Sequence, residues 1–342
     1  MSKNIGMSKH GWWGRFQRDN MRVILMAAAV IVAVFSTNDV HIVQNVLETS
    51  DPFIPAIVYL TIGAWIGVII NLILSLTPLG KVVDADFVAL DWMSLRAQRF
   101  AFYAGLMSAA AQLFLLWGAG SIDPGALLPL SNVSLLFIVL YETWKGKIDI
   151  KEFALPALLV MLGAFLVALG SAGGWAISLL GLSLPLIKSL FAAASRILEQ
   201  KGTKISDGTN FSFWRFFWLA VTGTVMSIVT AVSFGKWDQF VEVILTKVPS
   251  ALPWIMFTMF LVYFSVGIGN TAKKYLALSE IHVVMSLPVV LGIPATLLVN
   301  WMWPGTFSVP TDPGVWVMRS IGAVLVLWGV RRMIASRSSQ KS

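Results

Sequence analysis

Lys188 is the residue whose chemistry fits its surroundings least. It stands about twelve residues into an apolar run, roughly 18 Å from the run's start by helical rise. A charge at bilayer depth costs about 2.5–3.5 kcal/mol on insertion scales, so such a residue is a default functional candidate. Lys188 can contact an anionic group of a solute, or a carboxylate that gates a cavity. A structural ion pair is the other reading.

A second group lies in the first apolar run. Thr37, His41, Gln44 and Glu48 recur at helical spacing, with Asn38 and Asn45 alongside. A stripe of this kind must face a bundle interior or a water-filled vestibule, because lipid offers it no partner. Asp39 sits off the stripe and needs a separate partner or solvent. It is the candidate for binding a proton or cation. His41 can titrate near neutrality or act as a hydrogen-bonded packing residue. Gln112 and Asn132 lie well inside other apolar runs. Their amides donate and accept, which suits either a polar solute or a bond between helices. Trp65 and Trp117 lie deep enough to line a cavity or to pack against lipid and helices. Asn270, His282 and Glu142 fall near run ends, where contact with water explains them. Arg319 lies close enough to its own run's end to snorkel or to pair with an acid of a loop.

Other chemistries are missing. There is no GxxxxGK[ST] loop, so ATP drive within this chain is not expected. His10, His41 and His282 are scattered and make no metal-ligand spacing. Cysteine is absent, which removes disulfides, thiolate metal sites and cysteine nucleophiles. No catalytic group, metal or cofactor is expected, and the chain does not read as an enzyme.

The elements that position these residues are apolar runs. Of 342 residues 57% are hydrophobic and 12% charged, about half the charge of a soluble domain. Ten runs are long enough to cross a bilayer: 22–45, 53–76, 100–119, 124–142, 153–172, 176–198, 211–234, 251–272, 282–303 and 314–333. In lipid the backbone must satisfy its own hydrogen bonds, so each run is expected to be helical. An amphipathic segment, 235–250, is expected to lie on the membrane surface.

The net charge of +8 has a side. Lysines and arginines crowd the N-terminal tail, the connections after the second, fourth, sixth and eighth runs, and the C-terminus. The opposite connections hold only Lys236 and Lys247, with Glu48, Asp51, Asp123, Asp238, Glu242 and Asp312. This asymmetry puts both termini in the cytoplasm of a plasma or inner membrane. It is a topology signal and an attraction to anionic lipid; no nucleic-acid partner is expected. The tryptophans near run ends, Trp12, Trp13, Trp175, Trp237, Trp254, Trp301, Trp303 and Trp316, read as interfacial belts.

The two halves match at an offset of 159 residues. Pro129 pairs with Pro288, Gly163 with Gly322, Val167 with Val326 and Gly170 with Gly329. Each half has five runs, an odd number, so the second half enters the membrane from the other side. That describes an inverted repeat, 22–172 and 176–333, between tails 1–21 and 334–342. Its use is to expose one midplane site to each side in turn. Pro288 and Pro294 in one run predict a bent helix.

These halves carry a motif each: a proline-containing fourth helix, a short polar loop and a glycine-rich fifth helix. It reads first PLSNVSLLFIVLYETWKGKIDIKEFALPALLVMLGAFLVALG and then LPVVLGIPATLLVNWMWPGTFSVPTDPGVWVMRSIGAVLVLWGV. In this the chain resembles the drug/metabolite transporter superfamily, in its EamA-like branch. The family often carries a glutamate thirteen residues after the proline; Glu142 matches it, and Trp301 departs from it in the second half. The resemblance implies a secondary transporter or exporter of small organic solutes, with a cavity lined by both halves.

The expected fold is therefore all-α, a polytopic membrane protein of ten transmembrane helices in two inverted five-helix repeats. The expected function is transport, in the export direction by resemblance, of a small polar or amphipathic metabolite by alternating access. Lys188, Asn132, Gln112, Asn38, His41 and Trp65 are the expected substrate contacts, and Asp39 the proton-coupling group. The alternatives are a flippase or carrier for a lipid-linked or nucleotide-linked substrate, and a passive channel. No feature sets an oligomeric state.

Overall fold

The computed structural model describes residues 12–119, 133–146, 150–171, 179–302 and 312–338. Pro129, Asn132, Trp175 and Trp303 lie outside the described residues.

The described residues are mostly helical and contain no strand. A short helix, α1 (Trp12–Asp19), precedes α2 (Met21–His41), which continues into a π-helical turn at Ile42–Val46. Then come α3 (Phe53–Ser75), α4 (Leu79–Val83), α5 (Leu95–Ala119), α6 (Ser134–Trp144) and α7 (Ile150–Ser171). The remainder is α8 (Leu179–Thr203), α9 (Gly208–Ser233), α10 (Trp237–Thr246), α11 (Val248–Tyr275), α12 (Leu278–Val284), α13 (Pro288–Met302) and α14 (Pro313–Ser338).

Six of these helical stretches are long and apolar enough to cross a membrane: Met21–Val46, Phe53–Ser75, Leu95–Ala119, Gly208–Ser233, Val248–Tyr275 and Pro313–Arg332. By this measure the chain is an integral membrane protein. Helix α8 is not one of the six. It carries Lys188, Arg196, Glu199 and Lys201, and it runs past residue 198, where the apolar pattern stops, to Thr203.

The run expected at 282–303 is broken. Helix α12 ends at Val284, residues 285–287 form a turn, and α13 begins at Pro288. Proline has no N–H for a preceding carbonyl, so it opens a helix more readily than it continues one. The segment 235–250 contains α10, which buries Phe240 and Val243 and exposes Leu245.

Packing follows the 159-residue offset. Helices α7 and α14 lie against each other through glycine. A Cβ on Gly163 would strike the carbonyl oxygen of Gly322, and a Cβ on Gly322 would strike that of Gly163. Val326 flanks Gly163, as Val167 flanks Gly322. Shifted by 159 residues, α2 falls on α8, α3 on α9 and α5 on α11. Helix α5 packs on α8 as α11 packs on α2, and α9 packs on α5 as α3 packs on α11. The main apolar core centres on α3, where Ile54, Ile57 and Leu60 meet Phe216, Leu219 and Ile255.

The connections are fixed by polar contacts at one end of the bundle. Asp207 caps α9 by accepting from Asn210 N–H at 2.8 Å. Asp84 is fully buried; it accepts from Gly208 N–H at 2.5 Å and pairs with Lys274 at 2.6 Å. Helix α1 docks on the α3–α5 connection. Trp13 donates to the Lys81 carbonyl at 3.1 Å, and the buried Gln17 donates to the Val83 carbonyl at 2.7 Å and accepts from Ala85 N–H at 3.0 Å.

Candidate functional site

A cavity of about 250 Å³ lies among α2, α3, α5, α8, α9, α11 and the α12–α13 break. Helices of both halves contribute. The residues of α2 that reach it are Val32, Phe35, Ser36 and Asp39, which follow helical spacing along one face. On α8 the corresponding face presents Lys188, Ala192, Ser195, Arg196 and Glu199.

One region of the lining is a buried charged network centred on Glu199. Its Oε1 accepts from Arg215 Nη1 at 3.0 Å and from Ser195 Oγ at 3.0 Å. Its Oε2 accepts from Lys273 Nζ. Arg215 also donates to Ser108 Oγ at 2.8 Å, and Ser108 meets Ser195 at 2.8 Å. Lys273 donates to Asn270 Oδ1 at 2.5 Å, and Asn270 donates to Ser212 Oγ at 2.7 Å. The network ties α5, α8, α9 and α11 together. One carboxylate shared by two cations repays part of their desolvation, and removal of the carboxylate would strand both.

A second carboxylate lies on α2. Asp39 lines the cavity and accepts from the Tyr59 hydroxyl, which also lines it. In the offset numbering Val40 corresponds to Glu199 and Ala56 to Arg215, so the two carboxylates occupy nearly equivalent places in the two halves. The wall also includes the apolar side chains of Phe35, Leu115, Met259 and Val262.

The structure gathers three of the sequence candidates in this cavity: Lys188, Gln112 and Asp39. It places Asn38, His41 and Trp65 elsewhere, and Asn132 lies outside the described residues. Asn38 is buried against α11, donating to Thr258 Oγ1 at 2.6 Å and to the Trp254 carbonyl at 3.1 Å. His41 meets Asn45 at 3.1 Å and the edge of Trp254 at 5.0 Å between ring centres. Gln44 donates to the Ala119 carbonyl at 2.7 Å. The polar stripe thus joins helices, and the neighbouring face of α2 turns to the cavity. Trp65 points outward, its indole N–H bonded to Thr224 at 3.0 Å, and Trp117 packs on Phe53. Neither lines the cavity.

Three residues assigned to water at run ends are buried instead. Asn270 and His282 line the cavity, and both are shut off from outside solvent. Glu142 is 1% exposed and accepts from the N–H groups of Leu278 and Ser279, each at 3.1 Å. It caps the start of α12 from α6, across the two halves. Its counterpart, Trp301, is 79% exposed and caps nothing. Arg319 is 4% exposed and lies over the Trp316 ring rather than reaching out to water.

Sequence reasoning missed Glu199, Arg196, Arg215 and Tyr59. The signal was present on α8, where Lys188, Ser195, Arg196 and Glu199 share one helical face.

No protein-family model matches the chain, and no curated protein does. A solved structure does match, described only as the crystal structure of a protein. It superposes with a TM-score of 0.58 over 95% of this chain and 100% of its own, at 14% sequence identity. The likeness is one of fold.

Proposed function

We propose that this chain is a secondary transporter of a small polar or amphipathic organic solute, of the drug/metabolite transporter type, working by alternating access. One observation carries the reading: a largely apolar cavity with charged groups in its wall sits where helices of the two halves meet, with a carboxylate from each half among them. The reciprocal contact of Gly163 with Gly322 and the matched helix pairs support two inverted five-helix repeats. Two such halves can pack in two ways of similar energy and present the cavity to each side in turn. Ten crossings, both termini cytoplasmic and export as the working direction complete the proposal, by charge asymmetry and resemblance.

In this reading the chain is a carrier and not an enzyme. Asp39, with Tyr59 as its partner, is the proposed proton-coupling group. The test is solute flux in reconstituted vesicles, screened over amino acids, amines, nucleotides and organic acids. A flux that saturates with solute concentration supports a carrier. Flux that rises linearly without saturating would indicate a channel, and activity confined to long-chain lipids would indicate a flippase.

A further inference from the structure

The cavity wall carries an excess of positive charge. Among the described residues, Lys188, Arg196, Arg215 and Lys273 face it with only Glu199 and Asp39 as carboxylates. Glu199 already holds Arg215 and Lys273, and Asp39 holds Tyr59. Among the described residues, Lys188 and Arg196 make no ion pair and no hydrogen bond. Arg196 stands close enough for its charge to act on Lys188, and Glu199, which already holds two cations, is the carboxylate within electrostatic range of Arg196. His282, also in the wall and 4% exposed, leaves its Nε2 without a hydrogen-bond partner among the described residues. It lies within electrostatic range of both cations.

Two neighbouring cations and an orphaned imidazole nitrogen inside an integral membrane protein are costly to hold. A structural role would satisfy them with a fixed partner, as Glu199 satisfies its two. A bound anion would serve in the same way but only while present. The planar fork of arginine matches a carboxylate or a phosphate, and the lysine adds a point charge. The volume lies just below the range of pockets that take drug-sized ligands, about 300–1,000 Å³.

We infer that the solute is a small organic anion whose carboxylate or phosphate is held by Lys188, Arg196 and His282 while its apolar body lies along Leu115, Met259 and Val262. The inference rests on the cavity being the transport site. The same anionic group could belong to a soluble acid or to a lipid headgroup, and we assign the soluble one, because a volume of about 250 Å³ does not take a headgroup together with its acyl chains.

The test uses the purified full-length chain in neutral detergent and four probes of one shape: benzoate, phenyl phosphate, benzamide and benzylamine. Benzoate or phenyl phosphate is expected to raise the unfolding temperature saturably, and benzamide and benzylamine are not. Lys188→Gln and Arg196→Gln are each expected to weaken the anion by about tenfold or more. Lys188→Arg and Arg196→Lys keep the charge and are expected to retain binding, which separates lost recognition from a lost fold. Equal shifts with benzamide, equal affinity in the glutamine variants, or no saturable shift with either anion overturns the inference. Binding of a short-chain phosphatidic acid through the same cations, without binding of the two soluble anions, also overturns it. Vesicle flux separates the two readings. Saturable anion binding without flux leaves the anion site standing and removes transport. Saturable flux of a neutral or cationic solute, unchanged in Arg196→Gln, leaves transport standing and removes the anion site.

Discussion

Gly163 and Gly322 each occupy the space that the other's Cβ would need. Between α7 and α14 the two backbones touch, with Val326 beside the first glycine and Val167 beside the second. Gly163→Ala and Gly322→Ala should therefore each destabilise the protein by about 1–3 kcal/mol, the usual cost of overpacking. Because the two share one contact, the double variant should cost less than the sum of the singles. Thermal unfolding of the three variants in detergent measures this; strict additivity would argue against a shared contact.

Glu199 holds Arg215 and Lys273 together inside the bundle. Glu199→Gln removes the negative charge and leaves both cations buried. A loss of about 3–5 kcal/mol is expected, the range for breaking a buried pair. An unfolding temperature equal to the parent's would mean that water or another acid already compensates the cations.

Glu142 caps α12 with both carboxylate oxygens. Glu142→Ala orphans two buried N–H groups and should cost about 1–3 kcal/mol or more. Glu142→Gln keeps one accepting oxygen and should cost less. Trp301→Ala, at the corresponding place in the second half, should leave stability nearly unchanged. A Glu142→Ala protein as stable as the parent would remove the cap from the account.

Asp39 and Tyr59 share a hydrogen bond in the cavity wall. If Asp39 carries the coupled proton, Asp39→Asn should abolish the response of solute flux to an imposed pH gradient while leaving exchange of solute for solute. Tyr59→Phe should weaken the response without abolishing it. A gradient response that survives Asp39→Asn places coupling elsewhere.

Asp207 lies outside the membrane-spanning helices, and burial holds its carboxyl above the ordinary aspartate range, with the bonds from Asn210 opposing. The folded chain therefore takes up this proton before the unfolded chain does as pH falls. Its contribution to stability declines as pH rises from the ordinary aspartate value through the raised one, and is constant above that. Asp207→Asn should flatten that slope and keep the helix cap. Asp207→Ala should lose the cap, at about 1 kcal/mol. Unfolding measured over a pH series, with identical slopes for parent and Asp207→Asn, would contradict this assignment.

The apolar runs were legible because lipid imposes one rule on every backbone, and nearly all of them became helices at the expected places. Lys188 was legible for a related reason: a single charge in the middle of such a run has no surface explanation. Glu199, Arg215 and Lys273 were not, since each lies near a run end, where the charge asymmetry between the two faces already accounts for a polar residue. Their depth became visible only when α8 was seen to continue to Thr203. Asn38 and His41 show the complementary limit. Helical spacing defines a polar face, but it does not say whether that face meets a neighbour or a cavity. The neighbour here is α11, and the cavity opens one residue step away, at Asp39.

The docking of α1 carries a practical consequence. Gln17 and Trp13 clasp the link between α3 and α5, beside the Asp84–Lys274 pair that in turn grips the start of α9. A bulky label or a deletion that pulled this clasp loose would be felt at three helices at once, so reporters meant to leave the molecule undisturbed belong elsewhere, for example on the outer face of α10.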